Sequence, residues 1–359
     1  MSSKATSHMD PRFAASFGEL LVNLKTVFAS TSAQAFVISG SGTLGWDQVS
    51  ANLLQPNDNA LLISNGYFGD GFGDCMRTYG ANVKVLSSNM GESVSDSAIE
   101  AELTANKYRL LTVAQVDTST GVLANIEAIC NIVKRVSPDT FVVVDSVCAA
   151  AAERLYMDKW GVDVVIAASQ KALGAPPGVS VVMVSQKALN YAQTRSSPIL
   201  AYYVNWIRWL PIMQSYEQKK AAYFATPCVQ NIMALNQSVK DIVSLGMEQV
   251  FSRHEQVSKS FVDSITKKGL KIVPVSDDVR SRAMTVIWLP AGVTLPDLVP
   301  KMFGRGITIA GGIIKGRATE YFRIGHMGIS ATNPSLDYVD RTFNALMDSL
   351  AECGYKAPQ

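Results

Sequence analysis

Two residues of this chain have the type and the placement to carry covalent chemistry. Phe141 to Val144 is an apolar run too short for a helix and rich in β-branched residues, which predicts a buried parallel strand ending at Asp145. Asp163 to Ala168 repeats the pattern and stops at Ser169-Gln170-Lys171, so a lysine stands at the next strand end. Val179 to Val184 predicts a third strand of the same kind. In open α/β sheets the carboxyl ends of the strands form the crevice where ligands bind. An acid and an amine are therefore presented to one crevice.

A lysine beside Ala-Leu-Gly-Ala-Pro-Pro-Gly, rather than among other charges, is partly desolvated, which favours its neutral, nucleophilic form. In that form it can hold an aldehyde cofactor as a Schiff base. Pyridoxal phosphate also needs an acid against its ring nitrogen, because only the protonated ring draws in the electrons of a carbanion. Asp145 has the right type and position for this. The plainer alternative is a solvated loop lysine and an aspartate that caps the next helix.

The stretches VVDSVCA and SQKALGAPPG, in this order, resemble the class V, fold type I pyridoxal phosphate aminotransferases, and within them the alanine:glyoxylate and serine:pyruvate branch. The resemblance runs from Ser7 to Leu350, nearly the whole chain. It implies an α/β protein of the fold type I transferase kind. A large domain, residues 1–248, would carry a mostly parallel seven-stranded sheet, and a smaller C-terminal α/β domain would span 249–359. It also implies that Lys171 and Asp145 are the catalytic pair, with Gln170 beside the lysine in contact with the cofactor.

The elements that must position these residues follow the same alternation. Asp10 to Phe28 has apolar residues at helical spacing, with Pro11 at its first turn, and predicts an ordinary packing helix. Members of the family begin earlier, with a Pro-Gly-Pro-containing segment laid across the partner subunit. This chain starts at their Ser7-His8-x-Asp10-Pro11-x-Phe13 stretch, so the expectation is a truncated or misassigned start and a weakened dimer. Ala35 to Ile38 predicts a strand running into Ser39-Gly40-Ser41-Gly42-Thr43-Leu44-Gly45 and a helix to Leu54. Such a turn leaves amide donors at a helix N-terminus that bind phosphate, although it also serves as a simple connection. Ser41 and Gly42 match the family's phosphate cup, and Thr43 stands where animal relatives carry histidine.

After a strand at Ala60 to Ile63, Phe68 matches the aromatic that stacks on the cofactor ring, with Tyr67 as the rival. Following Leu110 to Val113, Ser119 matches a serine or threonine beside the ring oxygen and phosphate, and Thr118 is close enough to substitute. The same pair also suits a turn that caps the helix at Ile126 to Val136. Gln186 to Ala222 carries Tyr202, Tyr203, Trp206 and Trp209 with weak periodicity, which predicts an excursion covered by another subunit. In the family, the residues matching Tyr223 and Thr226 reach across the dimer to the neighbouring phosphate, implying a homodimer with shared sites. Strands are expected at Lys271 to Val275, Met284 to Leu289 and Tyr321 to Ile324. Arg323, in the last of these, matches the arginine that holds the substrate carboxylate; a buried internal ion pair is the alternative.

Composition narrows the class. With 359 residues the chain exceeds the size of a single growing core. Hydrophobic content of 48% against 17% charged suits a parallel sheet covered on both faces. A net charge of +2 without a cationic block argues against nucleic acid, and no apolar run reaches membrane-span length. Five scattered cysteines suit a reducing compartment, and three histidines make a histidine-based metal site improbable. The expectation is a cytoplasmic protein, with mitochondrial or peroxisomal placement left open. Through the resemblance the reaction is alanine with glyoxylate, small amino and oxo acids exchanging on one cofactor. A serine:pyruvate or serine:glyoxylate enzyme and a truncated non-catalytic relative are the alternatives. Cysteine desulfurases need a mobile late cysteine, and Cys353 in the terminal helix does not provide one.

Overall fold

The computed structural model describes residues 5–358. The strands are β1 (Gln34–Ser39), β2 (Asn59–Ser64), β3 (Asn82–Ser87), β4 (Leu110–Ala114), the short hairpin pair β5 (Val116–Asp117) and β6 (Val122–Leu123), β7 (Phe141–Asp145), β8 (Val164–Ala168), β9 (Val179–Val184), β10 (Met284–Trp288), β11 (Ala310–Gly311) and β12 (Tyr321–Gly325). Seven of them form one sheet in the order β1-β9-β8-β7-β4-β2-β3. Strands β3, β2, β4, β7 and β8 pair in parallel, while β9 runs antiparallel to β8 and β1. The sheet is mostly parallel, as expected, but Val179–Val184 does not share that direction. The loop from Ala168 is too short for the crossover of about a dozen or more residues that a parallel return needs.

Parallel pairing of β7 with β8 sets Asp145 opposite Ile166. The two strands thus end at one edge, and Lys171 follows β8 there. Both strands are buried along their whole length, as their unbroken apolar runs require.

The helix Pro11–Val27 starts where the Asp10 side chain accepts from the Arg12 N–H at 2.8 Å. Its buried Phe13, Phe17, Leu20, Leu21 and Leu24 pack it against the helices Val229–Leu245 and Trp206–Glu217. The aromatic excursion, expected to be covered by another subunit, buries its tryptophans against its own chain. Trp206 is fully buried, stacked on Phe36 at 5.7 Å, and its indole N–H donates to Gln48. Trp209 is buried as well and donates to the Tyr203 carbonyl. Both tryptophans are therefore covered by their own chain. Only Tyr202 and Tyr203 of the four stay exposed.

A second sheet, β10-β12-β11, is antiparallel throughout. The strand expected at Lys271 to Val275 does not form. That segment makes one bridge, Ile272 to Ile287, because Pro274 has no N–H with which to continue a ladder. One core extends from Phe13 to Val250 and a second from Phe261 to Leu350. Between them Val116, Cys148 and Ala149 pack on Val273, Met284, Val286 and Tyr321. No helix among the described residues is long and apolar enough to cross a membrane.

A polar tie reinforces this junction. Glu153, buried after the turn that follows β7, accepts from the Ser281 hydroxyl at 3.0 Å and from the Arg282 N–H. Burial pushes its carboxyl up from 4.5 to about 7. A raised value means that the fold favours the protonated acid. Its contribution to stability is complete below pH 4.5 and is lost as pH rises through about 7. Glu153→Gln keeps an acceptor oxygen and removes the charge. Urea unfolding is expected to find the variant more stable than the parent above pH 7, by roughly 1 to 3 kcal/mol, with a flatter stability profile between the two values.

Candidate active site

A pocket of about 190 Å³ opens at the carboxyl ends of β4, β7 and β8. Asp145 and Lys171 both line it, together with Ser41, Gly42, Thr43, Trp46, Phe68, Thr118, Val147, Cys148 and Gln170. The acid and the amine read from the sequence share one cavity.

Asp145 is only 8% exposed. One carboxylate oxygen accepts from the Val147 N–H at 2.9 Å, the other from the Trp46 indole N–H at 2.6 Å. Burial pushes the carboxyl up to about 6, and the neighbouring charge of Asp117 adds to this; the two donors and Lys171 oppose it. Lys171 is half-buried in the loop between β8 and β9.

The turn before the helix Leu44–Leu53 forms one rim. Among the described residues the amides of Gly42 and Thr43 have no hydrogen-bond partner, and the Ser41 and Thr43 side chains are exposed beside them. Glycine is required here by close approach. A Cβ on Gly42 would lie 2.8 Å from Val147, and one on Gly45 2.3 Å from Ile166 in β8.

Phe68 reaches the pocket wall, whereas Tyr67 is 52% exposed and packs edge-on against it. What holds this loop is Asp117, a fully buried residue that the sequence reading passed over. One of its oxygens accepts from the Phe68 and Gly69 N–H groups at 3.1 Å, at the start of the helix Tyr67–Thr78. The other accepts from the Ser119 N–H at 2.9 Å and the Ser119 hydroxyl at 2.5 Å. The Ser119 oxygen in turn accepts from the Tyr67 N–H. Ser119 is therefore fully buried behind the wall, and Thr118 supplies the hydroxyl on the pocket side. The available signal was an acid two residues before a serine in a turn, the pattern of a side chain that closes on its own backbone.

Three expected residues lie outside this wall. Tyr223 and Thr226 are exposed, with their hydroxyls 3.3 Å apart. Arg323 sits on β12, where its Nε–H donates to the Gly311 carbonyl at 2.8 Å. No carboxylate of the described residues forms an ion pair with it. Burial lowers its pKa, and the nearby Asp117 carboxylate is among the groups that oppose that shift. The loop that follows packs Gly328 against Ala172, next to the lysine, with the Gly328 N–H donating to buried His254.

A strand-end lysine and a buried carboxylate on one pocket, in a mostly parallel seven-stranded sheet, define the architecture of an aminotransferase. The chain belongs to the class-V aminotransferases, whose family model matches residues 2–314. It is 40% identical to alanine–glyoxylate aminotransferase 1 of Saccharomyces cerevisiae, over 94% of this chain and 90% of that protein. It is 29% identical to the L-aspartate–glyoxylate aminotransferase of Paracoccus denitrificans, covering 89% of this chain and 80% of that one. The crystal structure of an alanine–glyoxylate aminotransferase from Nostoc sp. superposes with a TM-score of 0.88 at 26% identity, over 97% of this chain and 90% of the other.

Asp117→Asn turns one pair of buried donors toward an amide that cannot accept from them. Unfolding experiments are expected to show a loss of about 1–3 kcal/mol. Hydrogen exchange should quicken first at the Phe68 and Gly69 amides.

Proposed function

We propose that this protein is a pyridoxal phosphate-dependent transaminase that passes the amino group of alanine to glyoxylate, giving pyruvate and glycine. The observation that carries the proposal is the presence of Asp145 and Lys171 on the walls of one strand-end pocket. The chemistry of the donor set fits the cofactor. A buried carboxylate faces the cavity where a ring nitrogen needs an anion, an amine lines the same cavity, and unpaired amides at its rim suit a phosphate. When bound, pyridoxal phosphate supplies an aldehyde for the amino group and a protonated ring that draws in the electrons released at the α carbon.

The residues divide the remaining work. Lys171 Nζ would hold the aldehyde end and, once free, would carry the proton from the substrate's α carbon to the carbon that was the cofactor's aldehyde, leaving the amino group on the cofactor and an oxo acid to depart. Asp145 keeps the ring nitrogen protonated. Ser41, Thr43, Gln170 and the Gly42 and Thr43 amides hold the phosphate, and Phe68 covers a face of the ring. Thr118 serves the ring edge in the role first read for Ser119, which anchors it from behind. Arg323 has no carboxylate partner among the described residues, which favours the substrate carboxylate over the internal ion pair as its partner. One site used twice, first by the amino donor and then by the oxo acceptor, gives a ping-pong sequence.

The exposed Tyr223 and Thr226 support a homodimer in which each subunit completes its partner's phosphate site. The two cores support a division into a large unit, residues 1–248, and a small one, 249–359. The relatives named above share glyoxylate in their names and differ in donor, so the donor is the open half of the assignment. Alanine and serine differ by one hydroxyl, a pair that pockets separate weakly without a dedicated polar partner.

Purified protein reconstituted with the cofactor should show an absorbance band near the violet that Lys171→Ala abolishes. Alanine is expected to bleach the band faster than serine or aspartate, and glyoxylate to restore it. If no amino acid bleaches it, the transaminase assignment fails. Arg323→Gln should raise KM for the donor by about tenfold or more with a smaller effect on kcat.

A further inference from the structure

We propose that Trp46 is a positioning residue for the catalytic acid, its indole N–H holding Asp145 in one orientation and in the anionic form that the ring nitrogen requires. The inference rests on the pyridoxal phosphate reading of this pocket and goes beyond it. It concerns a residue that neither the sequence motifs nor the relatives assign.

Four observations carry it. Asp145 has one side-chain hydrogen-bond donor among the described residues, the Trp46 indole at 2.6 Å. The Val147 N–H takes the other oxygen from behind, so each oxygen keeps a lone pair free for a partner in the cavity. Second, an indole N–H donates and never accepts, so Trp46 cannot accept a hydrogen bond from a protonated acid as a hydroxyl or neutral imidazole could. Third, the indole has little freedom. It is buried, stacks on Phe72 at 5.5 Å and 9°, and lies so close to Gly71 that a Cβ there would be 3.2 Å from the ring. Fourth, the Trp46 backbone N–H donates to the Thr43 carbonyl at 3.0 Å, which ties the residue that bears the indole to the turn at the pocket rim.

The electrostatic setting makes the donor consequential. Burial and the charge of Asp117 favour a proton on Asp145, while Lys171 and the two donors oppose it; Cys148 shares the same wall. The balance leaves the carboxyl at about 6, near enough to neutrality for one lost donor to matter.

The test uses cofactor-free full-length protein titrated with pyridoxal phosphate between about pH 5.5 and 8.5, a range spanning the Asp145 transition. The phosphate of the cofactor titrates in this range too, so the informative quantity is the difference between proteins. Trp46→Phe should bind about tenfold or more weakly at pH 7, and the pH below which affinity falls should rise by about one unit. Trp46→Met removes the N–H in a second way and should shift the same midpoint. Phe72→Leu loosens the stack but keeps the donor. It should lower the melting temperature and leave the midpoint at the parental value. An unshifted midpoint in Trp46→Phe and Trp46→Met overturns the inference, as does an equal shift in Phe72→Leu. If the parent retains a Lys171-dependent band, either result leaves the transaminase reading standing. A parent without that band sinks the reading first, and the inference with it.

Discussion

The structure is organised around the burial of one carboxylate at the end of a central parallel strand. An anion at that depth is costly unless hydrogen bonds and a nearby cation compensate it. Asp145 meets the cost with a backbone amide on one oxygen, an indole on the other and a lysine across the cavity. The β7–β8 pairing brings that lysine within reach, since two parallel neighbours end at the same edge. Reversing either strand would send the two groups to opposite ends of the sheet.

Two buried carboxylates stand near this edge, and their partners separate their roles. Asp117 turns away from the pocket and spends both oxygens on the backbone of the Tyr67–Thr78 helix start and on Ser119. Asp145 keeps lone pairs on the cavity side. The first acts as a long-range helix cap whose effect is to fix an aromatic wall, at a helix start where Gly66 has no side chain to do so. The second is left to meet a ligand. Close packing by Gly42 and Gly45 brings the turn after β1 against Val147 and β8, so that the unpaired amides open on the same space.

The second sheet comes close to the lysine loop. Arg323 lies on the central strand β12, and the loop beyond it presses Gly328 onto the lysine loop. Burial lowers the pKa of His254, keeping its ring neutral, and a neutral imidazole can accept the Gly328 N–H. This contact joins the arginine-bearing strand to the lysine loop without a charge. Membership of the class-V aminotransferases accounts for the fold.

What the amino-acid order determined by itself was local and periodic. The apolar runs marked β7, β8 and their end residues, the helical spacing marked Pro11–Val27, and the glycine-rich turn marked the start of the helix Leu44–Leu53. These are legible because hydrophobic period and turn chemistry act over a few residues. The tertiary structure decided what depends on approach between distant segments. It buried Trp206 and Trp209 within the chain, ran β9 antiparallel, reduced Lys271–Val275 to a single bridge, and set Ser119 behind the pocket wall with Thr118 on it. It also joined Trp46 to Asp145 and Asp117 to Phe68. Such pairings leave no mark on either partner's neighbours in sequence, because a hydrogen bond between segments is set by where the folded backbone carries them.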